Sequence, residues 1–467
     1  MFLEVVRSEG LAHLSYIFGH RKQAVVIDPR RDCEVYVDIA HRNGACITHI
    51  FETHRNEDYV IGSKELARRT GAAIYHGGAL DFAYGNAVTD GECFDLDGLF
   101  LTMLETPGHT YESISIALHD PAFGEEAVGV FTGDALFIGD VGRTDFFPEK
   151  KEETASLLYD SIFNKLLPLG DHVILYPAHG AGSVCGSGMA SREFSTLGYE
   201  RLNNPVLRHT ERDAFVQYKV NEKHYQPPYF RKMEEYNLKG NAPEMPRPPR
   251  PRPMNADEFA AAMKDSMVAV DVRNPEALAG AFVPNSLAIP MDALAAYGGW
   301  FIEYDHPIGI IPETGAYDQV ETAVRELIRM GFDAIVGFLD GGLHTWETSA
   351  RKFDRIPAIH VNQIRERIQQ NEEFTIVDVR KEEEFSRGHL KGAKNIYLGH
   401  VLERMDEIPR DRPVVTFCGS GQRAIIAASL LKKHGYTDVA NCLGSMSACR
   451  STKCPIEASA EESGEKD

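Results

Sequence analysis

The sequence has few cysteines, no long apolar run and a deficit of positive charge. Its 8 cysteines are scattered at irregular spacings over 467 residues, which excludes a disulfide framework and indicates free thiols in a reducing compartment. No apolar run reaches the ~18 residues that a membrane span needs. The first residues, MFLEVVRSEG, also lack the charged start and apolar core of a secretory signal. We therefore expect a cytoplasmic protein without a membrane partner.

The charge balance narrows the class of partner. Lysine and arginine total 49 against 69 for aspartate and glutamate, which gives a net charge of -20. Such an acidic chain is disfavoured as a ligand of nucleic acid or of an anionic membrane, so small-molecule chemistry is the better expectation. At ~150 residues per domain, the length predicts about three domains.

A proline-rich segment and an internal repeat divide the chain. The segment at 243–253, PEMPRPPRPRP, predicts a stiff linker without helix or sheet, because proline lacks a backbone donor and fixes φ. Beyond it, MVAVDVRNPEALAGA at 267–281 matches FTIVDVRKEEEFSRG at 374–388. We expect domains at 1–242, 254–355 and 357–457, and a disordered acidic tail at 458–467.

The strand and helix patterns predict an α/β fold throughout. Each copy of the repeat has short β-branched strands followed by an amphipathic helix, which is typical of parallel α/β units. The first region instead has many short apolar strands, such as AVVID, ITHIF and SISIAL, with few helices between them. This pattern predicts two packed sheets with helices outside.

Four residues that could bind a metal follow strands of the first region. They are His54 in THRNED, His109 in TPGHT, Asp134 in TGDALF and His179 in PAHG. Side chains at the ends of separate strands can converge at one edge of a sheet. A lone histidine at such a place is more often a satisfied structural residue, but four such residues together favour a metal site.

The order of these residues resembles the metallo-β-lactamase superfamily over residues 1–235, and GDVGRTDF and YPAHG are most similar to its glyoxalase II and persulfide dioxygenase branch. The resemblance implies an αββα sandwich. The superfamily's first motif is usually His-x-His-x-Asp-His, whereas this chain has Asn56 and Tyr59 at the second and last histidine positions. Asp58 and His179 alone would make a poor second metal site.

The resemblance therefore implies a mononuclear non-haem Fe(II) held by His54, His109 and Asp134, with positions left open for O2 and a thiol persulfide. A hydrolytic zinc centre would want three or more protein ligands and one activated water. In persulfide dioxygenases the terminal sulfur leaves as sulfite and the thiol is released.

Three further residues are candidates for substrate contacts. Arg143 and Asp145 match positions that the family uses near its substrate pocket, and a purely structural Arg-Asp pair is an equal alternative. Cys185 lies in a glycine-rich loop after His179, where it could touch the persulfide or be a plain loop cysteine.

A second candidate site lies in VVTFCGSGQRAIIAASLL, where an apolar strand ends at Cys418 and a helix begins about five residues later. Backbone N–H groups of the loop, the helix N-terminus and one guanidinium favour an anion at the Cys418 sulfur, so a nucleophile is favoured over a buried structural thiol. The loop residues are Gly419, Ser420, Gly421, Gln422 and Arg423.

This loop, together with DVR, GHLKGAKNI and LGSM, resembles a rhodanese over residues 357–457. The resemblance implies that Cys418 accepts a sulfane sulfur and passes it to an acceptor such as sulfite. At a shift of 104 the first copy has Thr314 and Gln319 in place of the cysteine and the arginine, and so resembles inactive rhodanese-like modules with a structural role.

The three-part order is similar to bacterial persulfide dioxygenase-sulfurtransferase fusions that detoxify sulfide. It implies thiosulfate as the net product, and a homo-oligomer because the family often assembles. Two other interpretations stay open. One is a glyoxalase II-like thioester hydrolase with sulfur-carrier rhodanese domains, and the other is a sulfur relay or sensor with an inactive metal domain.

Overall fold

The computed structural model describes residues 1–183, 186 and 188–458. The chain divides into two compact units, one formed by Met1–Pro248 with Ile328–Gly331 and the other by the remainder. Cys185 and the predicted tail from residue 459 onward lie outside the described residues. Every described helix is too short or too polar to cross a bilayer.

Two sheets that share one core form the centre of the first unit. The first sheet has six strands, namely β1 (Phe2–Ser8), β2 (His13–His20), β3 (Gln23–Ile27), β4 (Cys46–Phe51), β5 (Ala73–Gly77) and β6 (Asn86–Val88). The second has five, namely β7 (Cys93–Leu96), β8 (Leu99–Glu105), β9 (Ile114–His119), β10 (Ala127–Gly133) and β11 (Ile174–Pro177). Phe18, Phe51 and Phe131 are fully or almost fully buried in the core between the sheets.

Helices cover the outer faces of both sheets. Tyr36 and Leu66 pack on the first sheet and Leu158 packs on the second, so the layers run helix, sheet, sheet, helix. The helices are α1 (Glu34–Arg42), α2 (Ser63–Thr70), α3 (Lys151–Asp160, continued by a π-helical turn at Ser161–Leu166), α4 (Leu197–Asn203), α5 (Arg212–Asn221) and α6 (Phe230–Lys239). Short 3-10 turns lie at Pro148–Lys150, Leu167–Leu169 and Val206–Arg208. The predicted αββα sandwich is confirmed.

The first repeat copy is a five-stranded parallel sheet in the order β12-β16-β15-β13-β14. Its strands are β12 (Arg252–Met254), β13 (Val268–Asp271), β14 (Leu287–Ala288), β15 (Ile308–Ile311) and β16 (Ile335–Leu339). Its helices are α7 (Ala256–Lys264), α8 (Pro275–Gly280), α9 (Met291–Phe301), α10 (Tyr317–Arg329) and α11 (Gly342–Thr348).

The second copy has the same architecture, with the parallel order β17-β22-β21-β18-β20 and a separate pair β19-β23. Its strands are β17 (Ala358–Ile359), β18 (Thr375–Asp378), β19 (His389–Leu390), β20 (Lys394–Asn395), β21 (Val414–Phe417), β22 (Val439–Cys442) and β23 (Ile456–Glu457). Its helices are α12 (Val361–Gln369), α13 (Glu382–Ser386), α14 (Gln422–Lys433) and α15 (Ser445–Ser451), with 3-10 turns at Leu398–His400 and Met405–Glu407. The predicted parallel α/β class of both copies is confirmed.

The end of the predicted linker differs from expectation. Residues 252 and 253 are not free of regular structure, because they form β12 together with Met254 and pair with β16. β12 is the edge strand of its sheet, and an edge strand tolerates Pro253 because one side of it needs no ladder donor.

The strand pairing also corrects the alignment of the two copies. The amide of Val379 donates to Phe417 O at 2.8 Å, and the amide of Val272 donates to Ile311 O at 3.1 Å, so Phe417 and Ile311 are equivalent. The position equivalent to Cys418 is therefore Pro312 and not Thr314. The inference that the first copy has no thiol at this position is unchanged, because proline has none.

Candidate functional site

The structure brings His54, His109 and Asp134 together at the ends of strands from both sheets. His54 follows β4, His109 follows β8 and Asp134 follows β10. One ligand atom from each lies within 4.8 Å of the other two. Asp134 Oδ2 is 3.7 Å from His54 Nε2 and 3.5 Å from His109 Nε2.

Hydrogen bonds outside the cluster set the orientation of both imidazoles. His109 Nδ1 lies 2.9 Å from the carbonyl oxygen of Arg143, so this nitrogen carries the proton and donates. Thr53 Oγ1 donates to Asp28 Oδ2 at 2.6 Å, and therefore accepts from His54 Nδ1 at 2.9 Å. Both Nε2 lone pairs are consequently free and directed at the cluster.

The three converging atoms fit a metal ion. His54 Nε2, His109 Nε2 and Asp134 Oδ2 are buried and have no hydrogen-bond partner. Leaving one such atom unpaired costs about 1–3 kcal/mol, which a shared cation would offset for all three. Burial lowers the pKa of His54 to about 4, which favours the neutral ring that can ligate, whereas Glu57 and Asp134 outweigh burial and raise the pKa of His109. Two imidazoles and one carboxylate leave positions open on a bound ion.

His179 lies beside the cluster, between two carboxylates. Its Nδ1 is 2.7 Å from Asp134 Oδ1 and its Nε2 is 3.0 Å from Asp58 Oδ2. Burial opposes its charge, but the carboxylates of Asp134 and Asp58 outweigh burial and raise the pKa of His179 well above its usual value. In this arrangement the ring orients Asp134 through the oxygen that faces away from His54 and His109.

Arg143 and Asp145 form an ion pair with each other, and the predicted substrate contact stays a prediction. The Arg143 guanidinium donates to both carboxylate oxygens of Asp145, at 2.6 and 2.7 Å, and its side chain is 1% exposed. Burial would raise the pKa of Asp145, but Arg143 outweighs burial and lowers it to about 2. The arginine thus supports the metal cluster through the carbonyl oxygen that accepts from His109.

In the Cys418 loop one backbone amide is shown to meet the cysteine sulfur, and the predicted anion site there stays a prediction. Cys418 is buried directly after β21, and the amide of Gly421 donates to its Sγ at 3.0 Å. The Cys418 amide donates to Ser445 Oγ at 3.1 Å, which ties the loop to α15. Arg423 donates to both carboxylate oxygens of Glu384, at 2.6 and 2.8 Å, so its guanidinium is anchored beside the loop.

Tyr297 is a residue near this loop that sequence reasoning missed. It lies on α9 of the first copy. Burial raises the pKa of Tyr297, and a hydrogen bond from Arg423 to its hydroxyl opposes that rise. Trp300, one turn further on, packs edge-on against Tyr397, with the ring centroids 5.7 Å apart. No motif marks Tyr297, because nothing in α9 indicates that it faces the other copy.

Comparisons with known proteins support both sites. The metallo-beta-lactamase superfamily matches residues 9–179, and the rhodanese-like domain matches residues 360–452. A crystal structure of a metallo-beta-lactamase from Staphylococcus aureus is 30% identical, with a TM-score of 0.65, and the match covers 73% of this chain and 98% of that one. The chain belongs to the metallo-beta-lactamase superfamily. It also contains a rhodanese-like domain.

Two curated relatives of the metallo-beta-lactamase domain point to different chemistries. A hydroxyacylglutathione hydrolase of Haemophilus influenzae is 29% identical over 215 residues, which are 41% of this chain and 91% of that protein. A mitochondrial persulfide dioxygenase of Bos taurus is 28% identical over 212 residues, which are 41% of this chain and 70% of that protein. The geometry of the site has to discriminate between them.

Asn56 and Tyr59, which stand where the superfamily motif has histidines, make contacts within the metallo-beta-lactamase domain. The Asn56 side-chain amide donates to His54 O at 2.9 Å and so braces the loop of that ligand. The Tyr59 ring packs against His13 at a tilt of 33°, with the ring centroids 4.1 Å apart. Each of the two metal positions of the superfamily motif thus has one imidazole fewer in this chain.

A cavity of about 410 Å³ opens beside His179 in the metallo-beta-lactamase domain. Its wall includes His13 and Met189 and carries charges of both signs, namely Arg7 and Glu193, which pair at 3.1 Å, and Arg192, which pairs at 2.8 Å with the buried Glu200 behind the wall. A volume of this size suits a small molecule rather than a macromolecule.

Proposed function

We propose that the chain is an iron-dependent dioxygenase that oxidises a low-molecular-weight thiol persulfide to sulfite and free thiol. The observation that carries this proposal is the cluster of His54, His109 and Asp134, whose converging atoms all lie within 4.8 Å of one another. This donor set is typical of ferrous centres that react with O2. The similarity to a mitochondrial persulfide dioxygenase supports the same chemistry.

The protein's contribution to this reaction is binding and orientation. When bound, a ferrous ion supplies the reactivity toward O2 that side chains lack. Thr53 and the Arg143 carbonyl hold the Nε2 atoms of the two histidines in position, and His179 holds Asp134 by its other oxygen. Overall, a persulfide RSSH, O2 and water become RSH, sulfite and two protons. The terminal sulfur loses four electrons and O2 gains four.

The rhodanese-like domain would use the sulfite. We propose that the Cys418 thiolate attacks the terminal sulfur of a thiol persulfide, which leaves free thiol and a Cys418 persulfide. Sulfite then attacks that terminal sulfur, which forms thiosulfate and restores the thiolate. The Gly421 amide, 3.0 Å from Cys418 Sγ, is placed to stabilise negative charge at the sulfur in both steps.

Metal analysis and oxygen consumption test this proposal together. Protein purified without added metal is expected to hold one iron per chain and to consume O2 when glutathione persulfide or coenzyme A persulfide is added. Two zinc ions per chain, or no oxygen uptake with any persulfide of a panel, would overturn the dioxygenase proposal.

A thioester hydrolase of the glyoxalase II kind is the second candidate. The similarity to a hydroxyacylglutathione hydrolase over 91% of that protein's length favours it. Asn56 and Tyr59 disfavour it, because they stand where the superfamily motif has histidines and leave too few imidazoles for two ions. Hydrolysis of S-lactoylglutathione at a rate above that of persulfide oxidation would support the hydrolase.

A further inference from the structure

Glu57 is a buried carboxylate in the same loop as His54, at a position that the superfamily motif leaves unspecified. The loop backbone is held by the side-chain amide of Asn237, which donates to the carbonyl oxygens of Asn56 and Tyr59, each at 2.8 Å. Asn56 has a φ of 52°, a left-handed conformation that turns the chain just before Glu57. The main chain on both sides of Glu57 is therefore held by specific hydrogen bonds.

One oxygen of this carboxylate has a partner and the other has none. Glu57 Oε1 accepts from Arg55 at 3.1 Å. Arg55 also lies 3.3 Å from Glu234, so it neutralises the charge of Glu57 only in part. Glu57 Oε2 is buried without a hydrogen-bond partner and lies 3.7 Å from His109 Nε2.

Glu57 Oε2 and Asp134 Oδ2 thus lie close to the same nitrogen, His109 Nε2, at 3.7 and 3.5 Å. An unpaired buried carboxylate oxygen is costly unless a cation or a proton donor meets it. An ion bound about 2.1 Å from His109 Nε2 would bring such a charge close to Oε2. The metal cluster consists of atoms of His54, His109 and Asp134 and does not include an atom of Glu57. The Glu57 carboxylate is therefore a neighbour of the ligands and is not one of them.

We propose that Glu57 is a positioning residue of the metal site, whose free carboxylate oxygen faces the bound cation and tightens its binding. The inference rests on the proposed metal site, but not on the reaction that occurs there. It gives the site a second carboxylate that acts by charge and by hydrogen bonding to groups on the ion. Groups of this kind around a metal typically change its affinity by ~10- to 100-fold.

The test is an anaerobic titration of the metal-free full-length protein with Fe²⁺ alone, followed by the same titration with Zn²⁺. Glu57→Gln is expected to weaken the binding of both ions by ~10- to 100-fold. Glu57→Asp, which keeps the charge on a shorter side chain, is expected to recover part of that loss.

Glu112→Gln is the matched control. Glu112 is also buried, accepts from the Arg55 amide at 2.8 Å and has one unpartnered oxygen, but among the described residues the carboxylates that pair with His54 and His109 are those of Asp134 and Glu57. Its substitution is expected to leave the affinity for both ions unchanged. A Glu57→Gln protein that binds both ions as tightly as wild type, or a Glu112→Gln protein equally weakened, would overturn the inference.

Thermal denaturation of the metal-free variants shows whether they fold. If Glu57→Gln does not fold, the comparison of Glu57→Asp with wild type decides, and equal affinity would overturn the inference. The proposed reaction is tested separately, by oxygen uptake of the wild-type protein. If uptake is absent but ion affinity still falls in the Glu57 variants, the reaction is wrong and the role of Glu57 stands.

Discussion

His179 Nδ1 lies 2.7 Å from Asp134 Oδ1, which leaves Asp134 Oδ2 as the carboxylate oxygen directed at His54 and His109. One oxygen of the carboxylate therefore meets the His179 imidazole and the other faces the two histidines of the proposed metal site. This contact orients Asp134 as a ligand.

Replacement of His179 by alanine is expected to weaken Fe²⁺ binding by ~10- to 100-fold, because Asp134 loses the donor that orients it. Anaerobic Fe²⁺ titration measures the change. His172→Ala, at a half-exposed histidine whose nearest carboxylate is that of Glu126, serves as the control. Unchanged affinity would show that Asp134 is oriented without His179.

His54→Ala and Asp134→Ala are each expected to abolish both iron retention and oxygen uptake, since either change leaves only two ligands. Metal analysis of the purified variants and an oxygen electrode give the two readouts. His119→Ala, at a partly exposed histidine at the end of β9, should retain both properties. Full oxygen uptake in either ligand variant would place the active centre elsewhere.

Asp145→Asn tests whether the pair with Arg143 is structural. The pair lowers the pKa of Asp145 from 3.8 to about 2, so it contributes about 2 kcal/mol to the free energy of unfolding at neutral pH. Because the folded pKa is lowered, this contribution is complete above pH 3.8 and is lost as the pH falls toward about 2. Urea unfolding of wild type and variant should therefore differ at pH 7 and converge near pH 2. An equal stability at pH 7 with a raised KM for persulfide would instead support a substrate contact.

Cys418→Ser is expected to leave oxygen uptake intact and to change the product from thiosulfate to sulfite, because serine cannot carry a sulfane sulfur. Ion chromatography of the products measures the shift. The exposed Cys93 offers a matched control, since Cys93→Ser should leave both products unchanged. An unaltered thiosulfate yield in the Cys418 variant would remove the rhodanese-like domain from the pathway.

Tyr297→Phe is expected to slow sulfur transfer from Cys418 several-fold and to leave oxygen uptake unchanged. The reason is that Arg423 would lose the hydroxyl to which it donates and would be held by Glu384 alone. A thiosulfate:cyanide transfer assay measures the rate. Tyr317→Phe, which removes the exposed hydroxyl bonded to Asp340 in the same copy, should have no effect. Equal rates for the two variants would limit the first copy to a structural role.

Much of the fold was predictable because its signals are local. The strands predicted at AVVID, ITHIF and SISIAL are β3, β4 and β9 to within one residue at each end, since short apolar β-branched runs favour strands wherever they pack. The repeat alignment was less accurate. Loops of unequal length between matched strands displaced the position equivalent to Cys418 from Thr314 to Pro312, and only the strand register reveals the difference.

Residue types and their order along the chain were enough to indicate where chemistry can occur. They placed His54, His109 and Asp134 after strands, removed one imidazole from each of the two metal positions of the superfamily motif, and put Cys418 in a loop of small donors before a helix. These features depend on residues close together in sequence, and local periodicity is a property of the chain itself.

Only the tertiary structure decided where the side chains of these regions point. It paired Arg143 with Asp145, engaged both nitrogens of His179, turned a free oxygen of Glu57 toward His109 and brought Tyr297 to Arg423. Most of these contacts join segments that are dozens of residues apart. Their formation depends on how sheets and helices pack, and packing is determined by the whole of each unit rather than by any short stretch of its sequence.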